Sequence, residues 1–197
     1  MNNSKDDNFK RVFIHELGHF VSNWIIFELI SQYKPHSIVL NTKDENSFWG
    51  KVDIKNRTDM PAKRYFPGAV LYDFESTITT LYGCFFQSIF EEKDSFKECL
   101  NCIDGQMDGA FFCGAAKTYN KNLVDLEIIL TEHYNKLSNS SLADMLKNFD
   151  FTSYYLKAEH IYDYDDLIKD QQIINVKNVV EPLLIEVYEK LKTTPQK

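Results

Sequence analysis

The residues best suited to chemistry lie near the start of the chain, in "KRVFIHELGHFVSNWI", residues 10–25, which contains His15-Glu16-Leu17-Gly18-His19. On a helix, residues four apart share one face, so both imidazoles can reach a single metal ion at roughly 2.0–2.1 Å. Glu16 projects from the same turn. There it can take a proton from a water that the metal acidifies and pass it to a leaving amine. Gly18 leaves room beside the metal where a side chain would crowd it. The spacing predicts a zinc hydrolase centre with His15 and His19 as ligands and Glu16 as base. The blander alternatives are two histidines that pack or face solvent without metal, or a centre that holds metal without catalysis.

A catalytic zinc needs a third protein ligand. The metzincin continuation is excluded, because Ser22 and Ile25 stand where it requires glycine and histidine. Glu28 lies roughly 13 Å beyond His19 on the same helix, too far to converge on the ion. Asp104, Asp108, Glu75, His133 and His160 remain as candidates.

The elements that must position this motif follow from periodicity. Phe9, Val12, Phe13, Phe20, Trp24, Phe27 and Ile30 recur at steps of three and four, which predicts an amphipathic helix over 8–32, capped by Asp6 or Asp7 and stopped by Lys34-Pro35. "HSIVLNT" and "SFWGKVDI", joined by "KDEN", read as a hairpin and are the only clear strands. "KNRTDMPAKRYFPG" reads as an exposed loop whose Lys63-Arg64 pair is solvated. A long apolar helix is expected over 72–92, and Gly83 in its middle signals a close helix crossing. Further helices are expected over 108–119, 122–137, 141–148 and 175–192, the last interrupted or started at Glu181-Pro182. "IYDYDD" lacks the glycine and terminal glutamate of a calcium loop and reads as a solvated face.

The chain of 197 residues, 44% hydrophobic, suits one domain over 1–197, with 1–7 and 193–197 frayed. A net charge of −7 argues against a nucleic-acid partner. No apolar run reaches the roughly 20 residues of a membrane span, and the polar start "MNNSKDDNFK" predicts a cytoplasmic protein. Cys99-Leu-Asn-Cys102 has the spacing of half a zinc site but no second half, so Cys84, Cys99, Cys102 and Cys113 read as free buried thiols. His36, His133 and His160 read as surface residues.

The order of these features resembles the peptidase domain of the FtsH type of zinc metalloproteases. That domain has a helix bearing HEAGH, here "HELGH"; a strand and a glycine-containing strand, here "PHSIVLNTK" and "FWGKVDI"; a helix bearing Gly-Gly-Arg-Ala-Ala-Glu, here "LYGCFFQSIFEE"; and a helix opening on a small-residue turn and an aspartate, here "GQMDGAFFCGAAK". The resemblance runs from Phe9 to Tyr119 and loosely beyond, and only HELGH is specific alone. It implies zinc held by His15, His19 and Asp108, with Asp104 one turn earlier as the fallback, and Glu16 as base. Cys84 and Gln87 stand where the family has arginine and glutamate, and no GxxxxGK[ST] phosphate loop of an ATPase module occurs.

The expected fold class is therefore α+β, mainly α-helical, with a small antiparallel sheet beside the HExxH helix. The expected function is zinc-dependent hydrolysis of peptide bonds in flexible or unfolded polypeptides. Partners would be that substrate, a separate ATPase to deliver it, and further copies of the chain. From a different class comes a non-catalytic binding module pinned by metal. HELGH also occurs in regulatory proteases of the ImmA/IrrE type, whose downstream acidic-Ala-Asn-Phe-Ala pattern is missing here.

Overall fold

The structure, a computed structural model, describes residues 4–30, 33–44, 47–56, 73–102, 105–157 and 159–195. Helix α1 (Ser4–Ile30) carries the HELGH motif. Its side chains from Phe9 to Ile26 are buried on almost every side, more than the amphipathic stripe predicts. The sheet, a second long helix and the C-terminal helix all pack against it, and a helix so enclosed is apolar nearly all round. Asp6 and Asp7 lie within its first turn, where carboxylates complement the dipole, instead of capping it from outside. The N-terminal stretch expected to fray over 1–7 is thus helical from Ser4.

Strands β1 (Tyr33–Asp44) and β2 (Ser47–Asn56) form the expected antiparallel hairpin, with Leu40 opposite Gly50. Lys34-Pro35 lies inside β1, next to a register irregularity between Pro35 and Ser37 that tolerates the missing amide proton. Asn8 accepts the Phe48 amide at 2.6 Å and pins β2 to α1. The expected loop over "KNRTDMPAKRYFPG" falls largely on residues 57–72, outside the described residues.

A single 3₁₀ turn (Glu75–Ile78) leads into α2 (Thr79–Phe90), buried along nearly its whole length. Then come α3 (Lys97–Leu100), α4 (Gln106–Thr118), α5 (Leu123–Ser138), α6 (Leu142–Lys147) and α7 (Thr152–Tyr155). Asn122 caps α5 by accepting the Val124 amide.

Two readings of the C-terminal third are corrected. In "IYDYDD", β3 (Ile161–Asp163) pairs antiparallel with β1, giving the order β2-β1-β3. Tyr162 is buried and donates to the Tyr154 carbonyl at 2.7 Å, so this stretch is not a solvated face. After α8 (Tyr164–Leu167), α9 (Gln171–Thr193) begins at an Asp170 cap and runs unbroken through Pro182. Ile173, Val176, Val180, Leu184, Val187 and Leu191 keep one buried stripe across the proline, and that burial outweighs the one backbone hydrogen bond lost. Its end is tied down: Lys121 Nζ donates to the carbonyls of Leu191 and Thr194 at 3.2 and 2.9 Å.

The fold is α+β and mainly helical, with a small antiparallel sheet against the motif helix. No helix among the described residues is long and apolar enough to cross a membrane.

Candidate metal centre

Helices α1 and α2 run antiparallel across each other, so His19 meets the start of α2 and His15 its later turns. Thr79, Gly83 and Gln87 recur every four residues and share the α2 face turned to the two histidines. His19 Nδ1 donates to the Thr79 carbonyl at 3.0 Å, and His15 Nδ1 to Gln87 Oε1 at 3.0 Å. Both acceptors fix the Nδ1–H tautomer, which leaves a lone pair on each Nε2. Carbonyl and amide partners of this kind are what orient metal-binding imidazoles.

The two Nε2 atoms stand 3.1 Å apart, and Asp108 Oδ2, in the first turn of α4, lies 3.1 Å from that of His15 and 3.4 Å from that of His19. Three such atoms this close repel unless a proton or a metal cation lies among them. Tetrahedral ligands at roughly 2.0–2.1 Å from zinc are about 3.3–3.4 Å from one another, so the triangle fits a zinc ion with little adjustment. The donor set, two imidazoles and a carboxylate, also suits zinc.

The electrostatics agree. Burial pushes both imidazoles down, but hydrogen bonding to Asp108 and the nearby carboxylate charges reverse it, holding His15 well above its ordinary value and raising His19. Burial likewise pushes the Asp108 carboxyl up, and its hydrogen bonds with His15 and His19 override this and hold it well below the carboxylate range. All three shifts say that the cluster favours positive charge.

Glycines make the space. A Cβ at Gly83 would lie 2.4 Å from His19 Nε2 and 2.7 Å from His15 Nε2, whereas a Cβ at Gly18 would lie 2.2 Å from the Tyr82 carbonyl oxygen. The roles expected from the sequence are therefore exchanged. Gly18 makes the helix crossing, and Gly83 clears room for the imidazoles. Gly50 of β2 does the same for Glu16, whose Cγ and Oε1 would be 2.4 and 2.8 Å from an added Cβ. Glu16 is buried between α1 and the sheet and belongs to the wall of a cleft of about 980 Å³, with Trp49, Ile54, Met107 and Phe111 also at its edge. Trp49, Ile54 and Met107 are exposed, an apolar rim beside a polar floor.

Of the third-ligand candidates, Asp108 joins His15 and His19, and Asp104 lies outside the described residues. His133 is buried, not at the surface, and its Nε2 pairs with the Tyr82 hydroxyl at 2.8 Å; burial lowers its pKa to about 3. His160 packs against Phe9 and Phe48 on the sheet side, and neither it nor Glu75 joins the cluster.

Sequence reasoning missed Gln87, although one polar residue a helical turn from Gly83 in an apolar helix was a usable signal. It read Cys84 and Cys99 as free buried thiols, which they are, but missed that they sit behind the centre. Cys84 Sγ is 3.9 Å from Asp108 Oδ2, and the Cys99 thiol donates to Gln87 Oε1 at 3.3 Å. Both are buried and free, whereas Cys102 and Cys113 are exposed, against the expectation of four buried thiols. Hydrogen bonding between Cys84 and Cys99 holds Cys99 below the usual thiol range.

Gln87→Leu leaves the His15 Nδ1–H without its acceptor in a buried site. Zinc affinity should fall by about 10–100-fold, the usual loss for removing such a partner. Competition against a chromogenic chelator measures it, and an unchanged affinity would show that Gln87 does not orient His15.

No model of a known family, no curated protein and no solved structure matches the chain.

Proposed function

We propose that this protein is a zinc-dependent endopeptidase of the FtsH peptidase type that hydrolyses flexible or unfolded polypeptides. The observation that carries the reading is the triangle of His15 Nε2, His19 Nε2 and Asp108 Oδ2, with edges of 3.1, 3.1 and 3.4 Å, beside the buried Glu16. The order of α1, β1, β2, α2 and α4 supports the family resemblance, since it puts each motif segment on the expected kind of element.

His15, His19 and Asp108 would hold the ion, while Gln87 and the Thr79 carbonyl keep the two rings in register. Zinc supplies Lewis acidity there, making water a stronger acid and a carbonyl a better electrophile. Glu16, one residue from His15, accepts the proton of the attacking water and delivers it to the departing amine nitrogen. The outer edge of β2 is unpaired among the described residues and borders the cleft, so an extended substrate can add to it as a strand. Such a substrate must be locally unfolded, and a folded one would need a separate ATPase to open it. A closed structural pin would require a fourth protein donor, whereas three converge here among the described residues, at the floor of an open cleft.

The test is cleavage of casein by protein loaded with one zinc per chain. Fragments should appear, stop on chelation and return when one equivalent of zinc is restored. A zinc-loaded, folded chain that leaves casein intact would remove the peptidase assignment.

A further inference from the structure

His15 belongs to two clusters. Besides the triangle with His19 and Asp108, a ring nitrogen of His15 and the sulfurs of Cys84 and Cys99 all lie within 4.8 Å of one another, and all three residues are buried. We infer that His15, Cys84 and Cys99 form a second site, for a thiophilic divalent cation, which shares the residue His15 with the hydrolytic set.

The donors are one imidazole and two thiols, the combination that soft ions prefer over imidazoles and a carboxylate. Tetrahedral coordination with sulfur at about 2.3 Å and nitrogen at about 2.0–2.1 Å needs donors about 3.5–3.8 Å apart, and the three donor atoms here lie within 4.8 Å of one another. Each sulfur can be moved by rotation about its own cysteine's single side-chain torsion. Gly105 keeps the space open, since a Cβ there would lie 2.5 Å from Cys84 Sγ. Ligation needs two thiolates and a neutral imidazole, so each proton that Cys84, Cys99 or His15 carries leaves to solvent as H⁺ when the divalent ion enters. The complex is neutral, with two thiolates cancelling the ion, which suits a buried position better than a net charge.

The Cys99-x-x-Cys102 spacing therefore misleads. Cys102 is exposed and its thiol donates to the Glu98 carbonyl, while Cys99 turns inward to Cys84, distant in sequence.

The experiment uses the reduced, metal-free full chain titrated with Cd²⁺ and follows the ultraviolet charge-transfer absorption of cadmium thiolate. Absorption should saturate at one Cd²⁺ per chain, be retained in the Cys102→Ala/Cys113→Ala double variant, and fall by at least half in Cys99→Ala. It should also survive in His19→Ala, which takes a donor only from the hydrolytic set, so the result stands whether or not the chain cleaves peptides. Absorption lost in the Cys102→Ala/Cys113→Ala variant, lost in His19→Ala, or undiminished in Cys99→Ala would overturn the site.

Discussion

Glu16→Gln should leave one zinc per chain and lower casein cleavage by about 10²–10⁴-fold, the range for losing a positioned general base. Glu16 is not one of the converging donors, so its carboxylate is dispensable for holding the ion. The glutamine amide matches the carboxylate in size, which matters because Gly50 leaves no slack: an added Cβ there would sit 2.8 Å from Glu16 Oε1. The variant keeps the packing of α1 on β2 and removes only the capacity to take a proton. Metal analysis and cleavage rate are read on the same preparation. Full zinc with wild-type cleavage would remove Glu16 as base, and lost zinc would mean that Glu16 supports the metal directly.

Much of this centre was legible in the sequence because its core is local. His15, Glu16 and His19 occupy one turn of one helix, and helical periodicity is a strong signal over the length of α1. The hairpin was legible from its two β-rich runs. Asp108 was not legible from spacing: it lies on a separate helix, and only the order of segments in a resemblance singled it out from four other candidates. The failures share a cause, tertiary context. His133 looks polar in sequence because its neighbours Thr131, Glu132 and Asn135 on α5 are polar and exposed, yet it pairs with Tyr82 on α2. The three residues of β3 are too few for a period, and β1 alone recruits them. Pro182 suggested a break, but the buried stripe on both sides of it was readable and should have outweighed the proline.

The two glycines at the helix crossing show most sharply how packing creates the centre, and their alanine variants should fail in different ways. Gly83→Ala adds a methyl group 2.4 Å from His19 Nε2 and 2.7 Å from His15 Nε2. Both rings must move by about 1 Å or more, far beyond the roughly 0.2 Å tolerance of metal–ligand bonds. Zinc affinity should drop by at least about 100-fold, a larger loss than removing one orienting partner. The metal-free chain should not suffer in proportion, because alanine in a helix interior gains about 1 kcal/mol over glycine and the imidazoles can swing aside. At zinc 100-fold above the wild-type Kd, bound metal adds about 2.7 kcal/mol of stability, and a 100-fold weaker site adds about 0.4 kcal/mol. Thermal unfolding with and without zinc therefore reads the loss directly. Gly18→Ala is the opposite case, since its methyl group would meet the Tyr82 carbonyl at 2.2 Å and backbone cannot swing away. It should destabilise the metal-free chain by about 1–3 kcal/mol by forcing α1 and α2 apart. Wild-type zinc affinity in Gly83→Ala would show that His15 and His19 do not share an ion through their facing nitrogens, and with that the hydrolytic centre would lose its geometric basis.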